Sequence, residues 1–532
     1  MEQKSFQEFL KELEQKLIPL SRECNELFFN ATISGKDEDY KKSEECQIKL
    51  EHIFSNKEDF EYLKSIRADA ESFGGLDKRQ YEKVYKSYLS NQIDEKLLDE
   101  MIRIQTEIEK KFAKFRPKIA GKSVTDNEID EILTTTTDQK EAEAAWLASK
   151  EVGTEVAETV KKIVRLRNEA AKALGFDNFH QMSLTLSDQK PEEIDKIFDE
   201  LDALTKQPYA ESKEELNAYS VQKFGIEKPE LMPWHLQDRF LQKAPRIYEL
   251  NLDKYFTDKD LVKITADFYG GIGLPVQDII EKSDLFEREG KYQHAYCLDV
   301  DRDGDIRMVC NVKPNHKWMD TMLHEAGHAV YDKGINKDLP WFLRRPAHIF
   351  TTEAIAMLFG SLATKSAWIK EMVGISEKDA EEIEEECKKT LRLEKLIFCR
   401  WTQVMYRFEK AMYQNPDQDL NQLWWDLVEK YQLIKKPEGR DAPDWAAKIH
   451  IASFPAYYHN YQLGELLASQ IKNYIKSNIS ERDDFVGEKK VGDYLKERVF
   501  KPGKKYEWNE MIKRATGEKL TAKYFAKEFV DK

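Results

Sequence analysis

The sequence predicts a mainly α-helical protein, on three observations. Apolar residues recur at helical spacing over most of the chain, beginning with Phe6, Phe9, Leu10, Leu13 and Leu17 set among Glu, Lys and Gln. Proline and glycine are sparse, 16 and 22 in 532 residues, which favours long helices over a sheet-rich fold. Strand-like sequence is concentrated between about 291 and 312.

Taken in order, amphipathic stripes follow at 78–117, 139–175, 191–223, 376–413 and 460–477. No strict heptad persists, so they predict packing within a globule rather than coiled coils offered to partners. FYGGIGLP at 268–275 is a flexible break, equally a hinge, a domain edge or an ordinary loop. KYQHAYCLDV, DRDGD and IRMVCNV then predict two strands joined by a turn. There is no internal repeat, low-complexity tract or obvious linker. The expected organisation is one unit over 1–532, with a lid-like helical segment at 1–135 and a catalytic region at 136–532.

Composition narrows the classes. With 41% hydrophobic residues the chain can bury a large core. A net charge of -14 argues against nucleic acid as a partner. The six cysteines form no C-x-x-C pair. Cys297 and Cys310 could bond across the hairpin, but reduced thiols are the expectation. MEQKSFQEFLKELEQKL lacks the features of a secretory signal, and no run of about 18 apolar residues suggests a membrane span. A cytoplasmic protein is expected by default.

The chemistry is concentrated in DTMLHEAGHAVYD, residues 320–332. Histidine is rare here, ten in all, yet His324 and His328 stand four apart, one turn apart on one helix face. Two neutral imidazoles so placed can bind one Zn²⁺. Glu325, one step round the helix, can take the proton of an attacking water. Gly327 lets another backbone or a substrate approach. A hydrolytic zinc site needs three protein ligands and an open position. No third histidine follows at metzincin spacing, so the third ligand is expected from a second helix. PAHIFTTEAIAMLFGSLA, from 346, offers Glu353 among apolar residues, where a carboxylate needs a partner. Thr351 or Thr352 is the expected cap of that helix, and the whole metal site falls within 320–360.

These residues resemble the gluzincin peptidases, and more closely the superfamily of angiotensin-converting enzyme, thimet oligopeptidase and oligoendopeptidase F. His294-Ala295, 30 residues before His324, is similar to a His-Ala pair that contacts the peptide backbone in angiotensin-converting enzyme. Lys448-Ile449-His450 resembles that enzyme's Lys-x-His, which implies that Lys448 binds a C-terminal carboxylate and His450 the peptide near the cleaved bond. In PAYYHNYQLG, residues 455–464, Tyr458 and Tyr461 match the pair that stabilises the tetrahedral intermediate, with Tyr457 the alternative to Tyr458. Read without the family, the same stretch offers phenol and imidazole donors suited to an oxyanion. Two departures stand out. Met357 replaces an Asp that supports a ligand histidine, with Asp320 and Asp332 as possible substitutes, and Asn460 replaces a chloride-binding Arg.

The resemblance implies an elongated helical peptidase fold split by a deep channel, with a small hairpin beside the zinc. It implies hydrolysis of short peptides, with one Zn²⁺ and no nucleic-acid or membrane partner. Peptidyl-dipeptidase action, favoured by Lys448, and oligoendopeptidase action, favoured by the tyrosine-rich segment, both remain open. A non-catalytic peptide-binding protein is the rival of another class.

Overall fold

The computed structural model describes residues 5–530. Among them the long helices include α1 (Phe6–Ser34), α2 (Asp37–Phe54), α3 (Gln139–Ala173), α4 (Pro191–Phe224), α5 (His316–Gly334), α6 (Ile349–Gly360), α7 (Glu377–Gln414) and α8 (His459–Asn478). Strands are confined to two antiparallel pairs, β1 (Lys118–Ile119) with β2 (Lys122–Ser123), and β3 (Tyr296–Asp299) with β4 (Ile306–Val309). The mainly α class and the second hairpin agree with the sequence reading; the first hairpin carried no recognisable signal. No helix among the described residues is long and apolar enough to cross a membrane.

The chain forms two compact units. The first comprises Met1–Gln92, Asn251–Cys387 and Gly464–Leu520; the second comprises Ile93–Leu250, Lys388–Leu463 and Thr521–Lys532. This division does not follow the expected partition at 135. The stripe at 78–117 is broken by Asn91–Asp94, where one helix ends at Ser90 and Asp94 caps the next. FYGGIGLP is no unit edge: it closes the helix Leu261–Gly271 and turns at Gly273, with φ 77°.

The second unit is built round aromatic residues. Trp146 of α3 and Tyr209 of α4 share a buried core with Trp401, Trp424 and Trp445. In the first unit, Phe6, Phe9, Leu13 and Leu17 of α1 pack with Leu63, Val84 and Tyr88. The spacing of those α1 residues is the stripe visible in the sequence. Ser5 and Glu8 close a capping box at the start of α1. Gly35 ends it at φ 68°, and a Cβ there would lie 1.8 Å from the carbonyl oxygen of Gly290. Only glycine allows that turn to touch the loop before β3.

α1 also holds the hairpin. Asn25 donates to the carbonyl of Val300 at 2.9 Å, and the hydroxyls of Thr32 and Tyr296 meet at 2.5 Å. Lys291 anchors the preceding loop from inside. Its ammonium is fully buried, pairs with Asp284 at 2.7 Å and donates to the carbonyls of Phe286 and Cys310. A buried charge so completely satisfied fixes the approach to His294.

Cys24 of α1 and Cys46 of α2 form a disulfide, with Cα atoms 5.3 Å apart. Cys297 and Cys310 are free thiols, as expected. The bond was missed because a separation of 22 residues matches no motif. Closing a loop of this length stabilises by roughly 3 kcal/mol on the chain-entropy account. Cys46→Ser, or reduction of the wild type, should therefore lower the urea midpoint of the first unit's unfolding. Coincident curves for oxidised and reduced protein would show that the bond contributes nothing.

Candidate metal centre

α5 starts at Asn315, whose Oδ1 accepts from the backbone N–H of Trp318 at 3.0 Å. His324 and His328 follow on one face, with ring centroids 5.0 Å apart. α6 is capped by His348, not by Thr351 or Thr352. Its Nδ1 accepts from Phe350 N–H at 3.3 Å, and Thr351 Oγ1 accepts from His348 N–H at 3.2 Å. Thr352 has another task. Its hydroxyl lies 2.8 Å from Nδ1 of His328, which leaves Nε2 to face Glu353.

The two helices cross closely at Gly327. A Cβ there would lie 2.8 Å from Cα of Ala356 and 3.1 Å from the carbonyl oxygen of Ile355. A second glycine, Gly360, meets α5 in the other direction. A Cβ on it would stand 2.8 Å from Oδ1 of Asp320 and 3.5 Å from Cβ of His324. A third, Gly464 of α8, lets that helix approach Cβ of Glu353 and the sulfur of Met357, at 3.3 and 3.2 Å from its own added Cβ.

The crossing brings three donors together. Oε2 of Glu353 lies 3.6 Å from Nε2 of His324 and 3.8 Å from Nε2 of His328. One ligand atom from each residue falls within 4.8 Å of the others. Ligand bonds of about 2.0–2.1 Å in a tetrahedral site require donor separations of roughly 3.3 Å. Two imidazoles and a carboxylate at these spacings fit Zn²⁺ with one position left open.

Electrostatics agree with that donor set. Burial, and then His324, hold His328 well below the usual imidazole range, so it is neutral, the form that binds metal. Burial, and then Glu465, push Glu353 up to about 7. Glu325 is 7% exposed; burial, then Glu353 and Asp320, raise it to about 8. A cation at the cluster offsets such a concentration of carboxylates. Of the two substitutes for the missing family Asp, Asp320 stands beside His324 against Gly360. Asp332 is coupled instead to Asp299 and Arg345.

A family model described as angiotensin-converting enzyme matches residues 1–529. The chain belongs to the angiotensin-converting enzyme family. It is 23% identical over 428 residues to angiotensin-converting enzyme of Rattus norvegicus, covering 74% of this chain and 32% of that protein. It is 26% identical over 311 residues to carboxypeptidase 1 of Bacillus subtilis, covering 54% of this chain and 58% of that one. Over 220 residues it is 26% identical to oligopeptidase A of Haemophilus influenzae, with 32% of each chain covered. The match spans about a third of the length of the angiotensin-converting enzymes.

The remaining candidates fall in both units. In the first, His294 is exposed, with its ring 5.3 Å from that of Tyr292, and half-buried Ala295 leads into β3. In the second, Lys448 is buried. Its ammonium donates to Oε1 of Gln242 at 2.5 Å and lies 5.5 Å from the rings of Trp401 and Tyr458. Burial lowers Lys448 to about 8. His450 lies 5.2 Å from the ring of Tyr458; burial, then Lys448, lower it to about 4, so it is neutral near pH 7. Buried Tyr458 accepts from Nε1 of Trp401 at 2.8 Å and keeps its own proton to donate. Tyr457 and Tyr461 are half-buried, ring centroids 5.4 Å apart. Asn460, in place of the family's arginine, is buried and accepts from Gln189 at 2.8 Å. The sequence reading missed Gln242, whose surroundings carry no motif, and Glu465, which directly follows the tyrosine-rich segment.

Glu353→Ala and Gly327→Val should both lower zinc retention, the first by removing a donor, the second by forcing α5 and α6 apart without touching a ligand. Metal analysis after dialysis, with helicity followed in parallel, checks this. Wild-type zinc affinity in Gly327→Val would remove the crossing from the argument, and in Glu353→Ala would point to another third ligand.

Proposed function

We propose that the chain is a zinc peptidase acting on short peptides, and that it releases dipeptides from the free C-terminus. The observation that carries the hydrolytic reading is the convergence of His324, His328 and Glu353 beside the buried carboxyl of Glu325. Zn²⁺ held by these three residues would act as a Lewis acid on the peptide carbonyl and lower the pKa of water. Glu325 accepts the proton of the attacking water and passes it to the leaving amine. Thr352 and Asp320 orient the two imidazoles. On the family pattern, Tyr461 with Tyr458, or Tyr457 in its place, and neutral His450 donate to the oxyanion. His294 and Ala295 hold the peptide backbone.

Lys448 supports the dipeptidase form. An ammonium held by one amide and aromatic rings, without an ion pair among the described residues, suits a carboxylate that arrives with the substrate. Gln242 would then share that carboxylate. The name of the Bacillus subtilis relative, a carboxypeptidase, fits the same end of a peptide. That of the Haemophilus influenzae relative, an oligopeptidase, keeps internal cleavage as the second reading, together with the tyrosine-rich segment.

Glu325→Gln should keep zinc and lose turnover by at least about a hundredfold, since general bases contribute ~10²–10⁴. Residual activity above about one hundredth of wild type would reassign the base. Lys448→Ala should slow cleavage of a free-acid peptide by roughly 10- to 150-fold, the worth of a charge-assisted contact. The same peptide amidated at its C-terminus should be a poor substrate for both proteins. Mass spectrometry of the products decides: equal cutting of free and amidated peptides at interior bonds would establish the oligopeptidase form.

A further inference from the structure

In the second unit, the turn that leads into the tyrosine-bearing segment is strained. Ala456 is buried and stands at φ 53°. That left-handed conformation favours glycine over any residue with a Cβ. The next two residues are Tyr457 and Tyr458. Such a conformation persists only where the surroundings impose it, and two buried polar side chains from distant parts of the chain do so.

The first is Glu409 of α7. Its Oε1 accepts from the N–H of Ala456 at 2.6 Å. Glu409 is only 3% exposed, and a carboxyl is costly to bury. Burial raises it to about 8, opposed by the bond from Ala456 and then by Arg167. Charged or neutral, its Oε1 can accept the N–H. Eight residues earlier on the same helix, Trp401 donates its Nε1 to the hydroxyl of Tyr458 at 2.8 Å. One face of α7 therefore holds both the turn and the ring that follows it.

The second is Gln189, 1% exposed, just before α4. Its Nε2 donates to Oδ1 of Asn460 at 2.8 Å, and its Oε1 lies 2.8 Å from Nε2 of His459. The amide oxygen can only accept, so His459 carries a proton on Nε2. Gln189 is itself well anchored: its N–H donates to the carbonyl of Leu184 at 2.8 Å, after a left-handed Asp188 with φ 68°. His459 and Asn460 open α8, and Tyr461 is the third residue of that helix. The direction in which a helical side chain leaves is set by its place on the helix, so fixing the first two residues aims the third.

We propose that Glu409 and Gln189 are positioning residues for the tyrosine donors. Glu409 locks the turn before Tyr457 and Tyr458, and Gln189 locks the first turn of α8 and with it the direction of Tyr461. This rests on the peptidase reading and adds to it two residues that act only through the tyrosines. An oxyanion donor serves only if it is already aimed when the charge develops.

The test compares the zinc-loaded wild type with Glu409→Leu, Glu409→Gln and Gln189→Leu on one short peptide. Glu409→Leu and Gln189→Leu should lower kcat roughly tenfold or more and leave KM within about threefold, since a misaimed donor is felt in the transition state. Glu409→Gln keeps an acceptor at Oε1 and should recover most of that loss. In a Tyr461→Phe background the same changes should cost about twofold or less, because the hydroxyl they aim is gone. Undiminished losses in that background would make both residues general supports and overturn the proposal. So would wild-type kcat in folded Glu409→Leu and Gln189→Leu; a loss in one alone keeps that residue and strikes the other. A readout without turnover is the fluorine NMR line of Tyr461 in fluorotyrosine-labelled protein, assigned by its disappearance in Tyr461→Phe. It should shift or broaden in both variants and return in Glu409→Gln. If the wild type cleaves no peptide, the peptidase reading fails and this line decides the positioning, an unmoved line overturning it. Asn460→Ala, which cuts the Gln189 link from the other end, and Glu409→Met replace any variant that does not fold.

Discussion

The metal centre depends on how closely α5 and α6 can approach. Histidine and glutamate side chains are short, and three of their atoms must come within bonding distance of one point. At Gly327 the absent Cβ leaves room for the backbone of Ala356, and at Gly360 for the carboxylate of Asp320. Ordinary packed helices lie about 8–10 Å apart, set by the side chains between them. Removing the side chain at each glycine lets the ligand-bearing faces meet. Helix propensity would favour Ala at Gly327 by roughly 1 kcal/mol; the crossing geometry overrides it.

That approach concentrates acid in a place that does not welcome it. Burial, then Glu353 and Asp320, push Glu325 above the usual carboxylate range, and burial, then Glu465, do the same to Glu353. Such an arrangement is costly unless a cation is present. An ion bound at this candidate centre only in the folded chain would stabilise the first unit by mass action.

The hairpin beside the centre has a different support. Two strands alone are marginal, and this pair borrows order from α5, from α1 and from the buried ammonium of Lys291. Because α1 is bonded to α2 through Cys24 and Cys46, the N-terminal helices belong to the scaffold of the metal-bearing unit.

The sequence by itself determined the helical class and the hairpin at 296–309, and it picked out the three residues that the fold gathers into the candidate metal centre. Each is local: a 3.6-residue period, an alternation closed by Asp-Gly, and a spacing of four that holds two imidazoles on one face. It read Gly327 as a point of close approach, and the partner proved to be the ligand helix itself. The tertiary structure decided what depends on distant neighbours. Thr352 was read as a cap, because Thr at a helix start usually is one; its hydroxyl instead meets His328, and the cap fell to His348. Gln242 sits 206 residues from Lys448, and Cys24 is bonded 22 residues away. No periodicity or motif encodes such pairings, since they arise only when the chain has closed its long loops and buried the groups that then require partners.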